Sequence, residues 1–432
     1  MIERKKYLEK LISKKENGLV KVITGIRRCG KSYLLFTIYK EYLKSIGVEE
    51  DCIITLALDE EENIKYRNPL ELGMYIRSLT ADESKTYYVF LDEIQKVVTI
   101  QNPYIDDVED KIGFVDVVLG LMKRDNIDVY VTGSNSKMLS SDILTEFRGR
   151  GDELRINPLS FEEFYNAFEG DKRDAWSEYY TYGGLPLVMK KKTPEEKTKY
   201  LKSLFDKIYI DDIIERNKIL HDKSVLDDIL NIVSSSIGSL TNPGKITKTF
   251  KSEKQVNISI ETVSRYLDFF IDAFLLYKAE RYDVKGRKYI GSPLKYYFSD
   301  VGLRNARLNF RQQEENHIME NVIYNELCIR DFSVDVGVVE YCYKDEYKKS
   351  KRTNLEIDFV ANKGSKKYYI QSALTISDEE KREQEIRSLK RVGDSFKKIV
   401  VVKDNIIPWH DDDGILYIGI EKFLLDESAM DL

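Results

Sequence analysis

The amino-acid sequence predicts an α/β fold that begins with an open sheet of parallel strands. Two patterns indicate this: a strand, a glycine-rich loop and a helix follow one another in residues 19–43, and two later apolar runs each end in small polar or acidic residues. The chain has 432 residues, enough for two to three domains of roughly 150 residues each. Because 42% of the residues are hydrophobic, the domains can bury cores, which excludes a disordered chain.

Composition excludes several classes of function. Lys and Arg total 68 and Asp and Glu total 74, so the net charge of −6 gives no overall positive field for nucleic acid. The 4 cysteines and 3 histidines lack the spacing of a zinc site or a disulfide framework. No apolar run reaches the roughly 18 residues of a membrane span, and residues 1–6 lack the apolar segment of a signal peptide. We therefore expect a soluble, cytoplasmic protein with no membrane partner.

The strongest motif is Gly25–Ser32, which matches G-x-x-x-x-G-K-[ST] at every fixed position. A β-branched strand, Leu19–Thr24, precedes it, and a helical pattern, Tyr33–Leu43, follows it. In this order, the backbone N–H groups of the loop and the N-terminus of the helix meet the charge of a phosphate. The residues predicted to bind ATP in and around this loop are Gly25, Ile26, Arg27, Arg28, Cys29, Gly30, Lys31, Ser32 and Tyr33.

Two side chains of the motif have specific predicted roles. Lys31 is expected to reach the β- and γ-phosphates and to act in catalysis, and the Ser32 hydroxyl is expected to hold Mg²⁺. The structural alternative is a glycine-rich turn that binds nothing. The complete motif between a strand and a helix favours phosphate binding.

An acidic motif follows the apolar strand Tyr87–Leu91. ATP hydrolysis needs a carboxylate beside the metal, and Asp92 is predicted to coordinate Mg²⁺ through water. Glu93 is predicted to polarise the attacking water, and Gln95 is placed to contact water or phosphate. Taken alone, the two acids are typical of a helix start. Their pairing with the phosphate loop favours the catalytic interpretation.

Polar residues after a third strand, Ile127–Thr132, extend the predicted site. Ligands bind at the carboxyl ends of the strands in open α/β sheets, so Thr132, Ser134 or Asn135 could sense the γ-phosphate. A plain polar turn is the alternative.

Two arginines further on are candidates for catalysis between subunits. Arg148 or Arg150 could reach the γ-phosphate of a neighbouring subunit and stabilise the charge of the transition state. The alternative is a surface arginine that packs on Glu153.

In this order, the motifs resemble those of a family of bacterial and archaeal AAA-type P-loop ATPases with a C-terminal restriction-endonuclease-like domain of unknown function. The family's elements read GxRRxGKS/T, LDEIQ, TGSNS, GR…PLSFxEF and GGLP. In this chain they are Gly25–Ser32, Leu91–Gln95, Thr132–Ser136, Gly149-Arg150 with Pro158–Phe164, and Gly183–Pro186. The resemblance covers most of the chain.

The resemblance implies that Lys31, Ser32, Asp92 and Glu93 carry the nucleotide chemistry. It also favours Arg150 over Arg148 as the arginine that acts on a neighbouring subunit. The two glycines of Gly183–Pro186 are interpreted as a tight bend at a helix end, without a chemical role.

The middle of the chain is predicted to contain a winged-helix-like unit. A helix closed by Gly238, an amphipathic helix over Ser259–Phe270 and two strands around Lys285–Lys288 follow in that order. A basic segment lies between the helices, with lysines at Lys245, Lys248, Lys251 and Lys254. DNA is one predicted partner of this region, through the exposed helix residues Thr262, Ser264 and Arg265 and the hairpin tip. Docking of a protein is the alternative.

For the C-terminal part, the resemblance implies a nuclease-like frame that lacks its catalytic residues. That frame carries an acid on a helix, an Asp on a strand and Glu-x-Lys on the next strand. The helix here carries Glu320 and Glu326, a strand carries Asp358, and Gln371 and Ala373 stand where Glu and Lys are expected. Because an amide carries no charge and alanine has no donor, we predict that this domain does not cut DNA. Asp358 is then interpreted as an acid near a hairpin turn.

The sequence thus predicts an AAA-type ATP-binding domain over residues 1–158, a helical and winged-helix-like domain over residues 159–305 and an inactive nuclease-like domain over residues 306–432. The predicted function is ATP hydrolysis with Mg²⁺, in an assembly of identical subunits if the arginine acts between them. The alternative is a nucleotide-switched regulator that binds DNA or protein and turns ATP over slowly. Glu93 favours hydrolysis, because a switch does not need a carboxylate that activates water.

Overall fold

The computed structural model describes residues 2–133, 149–219, 223–311, 314–344, 350–376 and 378–432. The chain divides into two compact units, Met1–Pro158 with Asp272–Phe274, and Leu159–Ile271 with Leu275–Leu432. The second unit therefore includes both the predicted winged-helix-like domain and the predicted nuclease-like domain.

The first unit is built on strands that alternate with helices. Its strands are β1 Val20–Thr24, β2 Ile53–Ala57, β3 Tyr87–Asp92, β4 Ile100–Gln101, β5 Lys111–Ile112, β6 Ile127–Thr132 and β7 Gly151–Arg155. Its α-helices are Lys5–Lys14, Lys31–Tyr33, Lys40–Ser45, Pro69–Leu79 and Phe114–Leu121, and a π-helical segment, Leu34–Tyr39, joins the second to the third.

Five of the described strands form one parallel sheet in the order β2-β3-β6-β1-β7. Strands β1, β3 and β6 are buried along their whole length, as expected for a parallel sheet covered on both faces. One face packs on Pro69–Leu79 and Phe114–Leu121 through Leu72, Ile76 and Val118. The predicted open parallel sheet is confirmed.

A buried ion pair lies within this sheet. Lys21 on β1 is fully buried and its ammonium contacts the Asp128 carboxylate on β6. The Tyr130 hydroxyl donates to the same carboxylate at 2.7 Å. The hydroxyls of Tyr39 and Tyr130 form a hydrogen bond of 2.7 Å with each other. A charge in the interior is tolerated here because it has both a counter-charge and hydrogen bonds.

The second unit combines a helical region with a large mixed sheet. Its α-helices are Phe161–Ala167, Ala175–Tyr182, Pro186–Met189, Pro194–Leu204, Asp211–Arg216, Lys223–Ser235, Pro243–Lys254, Ile260–Asp272, Val301–Arg307, Glu315–Ile329, Glu379–Ile386 and Ile420–Leu425. Its strands are β8 Leu276–Asp283, β9 Lys288–Phe298, β10 Ser333–Lys344, β11 Ser350–Lys363, β12 Lys366–Ala373, β13 Lys397–Val402, β14 Trp409–His410 and β15 Leu416–Gly419.

The described strands of this sheet follow the order β14-β15-β13-β12-β11-β10-β8-β9. The hairpin β8–β9 occupies the place predicted for the wing, but β8 also pairs in parallel with β10. The hairpin is therefore part of the C-terminal sheet, and the predicted boundary at residues 305/306 falls within one unit. The predicted stripe of the preceding helix, Val263, Tyr266, Leu267 and Phe270, is buried.

The Gly183-Gly184 bend has a steric explanation. A Cβ on Gly183 would lie 2.2 Å from Asp300 Oδ1, and one on Gly184 would lie 2.3 Å from the Leu159 carbonyl oxygen. The buried Asp300 carboxylate accepts the Gly184 N–H at 2.7 Å and the Leu303 N–H at 3.0 Å. Burial raises the pKa of Asp300 to about 6. The two glycines thus let the chain close over a buried acid.

Candidate nucleotide-binding site

The loop after β1 begins with a glycine that no other residue can replace without movement. Gly25 has a φ of +139°, and a Cβ built on it would lie 2.1 Å from the carbonyl oxygen of Ile156. The buried Cys29 donates its thiol to the same carbonyl oxygen at 3.4 Å. Close packing of the loop against residue 156 therefore explains why a residue without a side chain begins the motif.

Lys31 is buried at the start of the helix that follows the loop. Its ammonium donates to the carbonyl oxygens of Gly25 at 2.9 Å and Ile26 at 3.1 Å. Both partners are neutral, so these bonds hold the ammonium in the loop without cancelling its charge. A phosphate that bound here would gain a cation already in position.

The other loop residues differ in exposure. Ile26 is buried, Arg28 and Ser32 are exposed, and Tyr33 keeps 38% of its surface exposed. The exposed Ser32 hydroxyl lies at the first turn of the helix, where it is open to a ligand. An oxygen of this kind suits Mg²⁺, which prefers oxygen ligands.

Asp92 and Glu93 lie at the carboxyl end of β3, and Thr132 connects them. The buried Thr132 hydroxyl donates to the Asp92 carboxylate and accepts the Glu93 N–H at 3.1 Å. Glu93 has a φ of +52°, a conformation that residues other than glycine rarely adopt. The hydrogen bond from its N–H to Thr132 helps to hold this strained conformation.

The Glu93 carboxylate experiences opposing electrostatic effects. Burial raises its pKa, the charge of Lys31 lowers it, and the charge of Asp92 raises it again. The Gln95 amide donates to the same carboxylate, while the buried Gln95 Oε1 has no hydrogen-bond partner among the described residues. A raised pKa makes Glu93 a better proton acceptor than an exposed glutamate.

The order of the sheet brings these groups to one edge. Strand β6 lies between β1 and β3, so Thr132 is placed between the loop Gly25–Ser32 and Asp92. The strands are parallel, and all three groups follow carboxyl ends. This is the edge at which open α/β sheets bind ligands.

Arg150 lies at the opposite edge of the sheet within the same chain. Its carbonyl oxygen accepts the N–H of Val20, the first residue of β1, at 2.9 Å, and its side chain is exposed. The strand between Val20 and the loop spans about 15 Å at the usual rise per residue. Glu153, its predicted packing partner, instead accepts a hydrogen bond from Thr24 at 2.7 Å. The predicted residues Ser134, Asn135 and Arg148 lie outside the described residues.

The predicted nuclease-like residues fall into a second site. Asp358 lies in β11, which forms a hairpin with β12, and its side chain is buried. Its carboxylate lies 3.5 Å from the ammonium of Lys295, which also contacts Glu320 at 2.7 Å. Glu326 is separate and pairs with Arg330 at 2.7 Å.

The residues at the predicted Glu and Lys positions do not restore a nuclease arrangement. The side-chain amide oxygen Oε1 of Gln371 accepts the Asp358 N–H at 3.4 Å, and Ala373 lies in an apolar cluster. Sequence reasoning missed Lys295 because it lies on β9, far from the strand where the lysine was expected. The nuclease-like assignment of this region stays a prediction.

The basic segment in the second unit is largely exposed. Lys245, Lys248 and Lys251 are exposed on the helix Pro243–Lys254, while Lys254 pairs with Asp228 at 2.8 Å. Arg265 is also exposed, and Thr262 and Ser264 are half-buried. Within the residues that the structure describes, no helix has the length and hydrophobicity needed to cross a membrane.

The chain is similar to one domain family over its first site and to other known proteins over longer stretches. A family model described as an AAA domain matches residues 17–165, which include the loop, Asp92 and Thr132. A second model, a domain of unknown function, matches residues 173–314. A Walker-type ATPase of Pyrococcus abyssi is similar in structure, with a TM-score of 0.45 and 14% sequence identity over 71% of this chain and 96% of that one.

The parallel sheet, the loop and the matching family model define an AAA-type P-loop domain. An uncharacterised protein of Haemophilus influenzae is 33% identical over 430 residues, covering 98% of this chain and 99% of that protein. A relative from Methanocaldococcus jannaschii is 29% identical over 428 residues, which cover 95% of this chain and 85% of the relative. The chain belongs to the family of the Haemophilus protein.

Proposed function

We propose that this protein hydrolyses ATP at the edge of the first unit's sheet and uses Mg²⁺ to do so. The observation that carries the proposal is the meeting of a phosphate loop with two acids that share one threonine contact at the same sheet edge. Lys31 would bind the phosphates, and Glu93 would orient and deprotonate the attacking water. A Mg²⁺ ion held by Ser32 and Asp92 would neutralise phosphate charge.

The site fits this ligand in its donor groups. The Lys31 ammonium donates to two neutral carbonyl oxygens, so a bound phosphate would replace neutral partners with a charged one. Asp92 and Ser32 supply oxygen ligands, and Glu93 has a raised pKa. A nucleotide-switched regulator would need Lys31 to bind the phosphates. It would not need an acid whose pKa is raised, as that of Glu93 is. Hydrolysis therefore accounts for more of the site than switching does.

The test compares ATP hydrolysis by the full chain and three variants in the presence of Mg²⁺. Lys31→Ala should abolish nucleotide binding, and Glu93→Gln should keep binding while turnover falls by about 100-fold or more. Glu109→Gln, which changes an exposed acid of the same unit, serves as the control and should hydrolyse ATP normally. Tight ATP binding without turnover, unaffected by Glu93→Gln, would instead support the regulator. Normal hydrolysis by Lys31→Ala would refute the site.

We further propose that Arg150 acts on the nucleotide of a neighbouring subunit. Its position at the far edge of the sheet supports action between subunits over action within one. The variants Arg150→Ala and Lys31→Ala should each be inactive alone, and mixing them should restore part of the activity, because each supplies what the other lacks. Mixtures that stay inactive, or an active Arg150→Ala protein, would count against this role. Light scattering of Glu93→Gln with and without ATP should detect the assembly.

DNA is the proposed partner of the second unit's basic helix. Its exposed lysines, Lys245, Lys248 and Lys251, recur every three residues and so share one helix face. Changing all three to Glu should weaken DNA binding and reduce its salt dependence, because phosphate contacts release counterions. The control changes three exposed lysines elsewhere in the unit, Lys190, Lys192 and Lys199. Equal DNA affinity in both triple variants would favour docking of a protein.

A further inference from the structure

A buried lysine in the second unit is surrounded by three carboxylates. The Lys295 ammonium lies 2.7 Å from Glu320 Oε1, 2.7 Å from Glu356 Oε1 and 3.5 Å from Asp358 Oδ1. The lysine comes from β9, Glu320 from the helix Glu315–Ile329 and the other two acids from β11. One ammonium thus joins three elements that are distant in the sequence.

The cluster is closed to water except on one side. Lys295 is 2% exposed, Glu320 5% and Asp358 7%, whereas the Glu356 side chain keeps a third of its surface. The ammonium donates to Glu320 and Asp358, and Glu356 forms an ion pair with it. Without the lysine, three acids would share a buried space with no cation to offset their repulsion.

Other contacts fix the acids in place independently of the lysine. The Tyr297 hydroxyl donates to Glu320 at 2.6 Å, and the Ser372 N–H donates to Asp358 at 2.9 Å. The Ser372 hydroxyl is buried and has no hydrogen-bond partner among the described residues. The cluster therefore presents carboxylate oxygens from three acids around one central position. Such a set of oxygens is typical of a site for a hard divalent cation.

Electrostatics keep the central position cationic. Burial alone lowers the pKa of Lys295, but the charges of Glu320, Asp358 and Glu356 outweigh it and raise the pKa above its usual value. Burial and the charge of Glu320 raise the pKa of Asp358 to about 7. Tyr297 and His317 are further titratable groups at the cluster; His317 Nδ1 lies 3.8 Å from Glu320 Oε2, and its interaction with Glu320 raises the pKa of His317. The three acids together therefore favour a positive charge at the centre of the cluster.

We propose that the Lys295 ammonium takes the place of a divalent cation, and that its removal turns Glu320, Glu356 and Asp358 into a metal site. The second unit then holds its sheet and helix together without metal.

The test uses Lys295→Met in the full chain without nucleotide, because Met keeps the length of the side chain and removes its charge. In EDTA, Tm should fall by on the order of 10 °C relative to the unaltered protein. Addition of MnCl₂ should restore most of this loss, and electron paramagnetic resonance should detect about one more bound Mn²⁺ per chain than in the unaltered protein. Any Mn²⁺ at Asp92 is common to both proteins and cancels in the difference.

Two controls separate metal binding from a general loss of stability. Adding Asp358→Asn to Lys295→Met should remove the extra Mn²⁺. Lys21→Met removes a lysine that is buried to the same degree but pairs with the single carboxylate of Asp128, so it should lower Tm without recovery in MnCl₂. Recovery in both lysine variants would overturn the proposal.

Three further outcomes would also overturn it. The first is a folded Lys295→Met protein that binds no extra Mn²⁺. The second is an unaltered protein that already binds a Mn²⁺ which Asp358→Asn abolishes, or that cuts DNA with metal. The third concerns a Lys295→Met protein that does not fold in EDTA. Such a protein should fold when it is produced and purified in MnCl₂. If it does not fold in MnCl₂ either, the exchange of lysine for metal is refuted. Lys295→Met with Glu320→Gln, which carries one fewer buried charge, should be more stable in EDTA than Lys295→Met alone.

Discussion

Replacement of Gly25 by alanine should disable the phosphate loop, because the loop has no room for a methyl group. The added Cβ would lie 2.1 Å from the Ile156 carbonyl oxygen. Carbon and oxygen atoms approach to roughly 3.3 Å even in close contacts, so the two groups would have to separate by about 1.2 Å. The φ of +139° at Gly25 adds backbone strain for any residue with a side chain.

The loop is the part that should move. The Ile156 N–H donates to the Thr24 carbonyl oxygen at 2.8 Å, which ties residue 156 to the end of β1. Lys31 is held by the Gly25 carbonyl oxygen at 2.9 Å, so a displaced loop takes the ammonium with it. A misplacement of about 1 Å near a reacting group costs on the order of 100-fold in rate. We expect kcat/KM for ATP to fall by about 100-fold or more.

The assay measures ATP hydrolysis together with binding of a fluorescent ATP analogue. Gly47→Ala is the control for backbone strain, because Gly47 has a φ of +91° and no atom lies within 4 Å of its added Cβ. Gly120→Ala is the control for the substitution itself, since it lies in a helix with equally open space. Both controls should hydrolyse ATP within about twofold of the unaltered protein. A Gly25→Ala protein with similar activity would refute the steric reasoning.

Two more predictions concern buried polar groups. Thr132→Val should lower kcat for ATP by about 10- to 100-fold with a smaller change in KM, because it leaves the Glu93 N–H unpaired and removes the hydrogen bond to Asp92. Thr80 is equally buried, so Thr80→Val is the control. Equal kcat values for the two variants would contradict the role of Thr132. The pKa of Asp300 is raised from 3.8 to about 6, so its protonated form stabilises the fold below about pH 4, and this stability of about 3 kcal/mol is lost as the pH rises through 6. Chemical unfolding should show the free energy of unfolding falling with pH relative to Asp300→Asn, and a constant difference between pH 4 and pH 7 would exclude the raised pKa.

Local patterns predicted the parts of the fold that depend on neighbours in the sequence. The strand, loop and helix around Gly25–Ser32 were predictable because side-chain period and glycine position determine them directly. The buried stripe of the helix Ile260–Asp272 followed from helical spacing in the same way. The edge position of Asp92 followed from the rule that parallel strands present their carboxyl ends together.

Contacts between distant segments were not predictable. Lys295 contacts Glu320, 25 residues away, and Asp358, 63 residues away. The helical and strand periodicities act over a few residues and predict neither contact. The burial of Asp358 was not predictable for the same reason, since an acid on a strand is buried or exposed according to its partners on other elements. The helix–helix–hairpin order suggested a separate wing, whereas the pairing of β8 with β10 depends on register over more than 50 residues.

The buried lysines of this protein differ in their partners. This difference distinguishes a lysine that can bind phosphate from lysines that stabilise the fold. Among the described residues, Lys21, Lys31 and Lys295 are the buried lysines. Lys21 and Lys295 contact carboxylates, so their charges are neutralised within the protein and are not available to a ligand. The hydrogen bonds of Lys31 go to the carbonyl oxygens of its own loop, which orient the ammonium but leave its charge uncompensated by a direct ion pair. The charge of Glu93 acts on Lys31, but a buried ammonium without a direct ion pair still gains more from an arriving anion than one that already contacts a carboxylate. This difference in charge supports phosphate binding at Lys31 on grounds independent of the motif in which it lies.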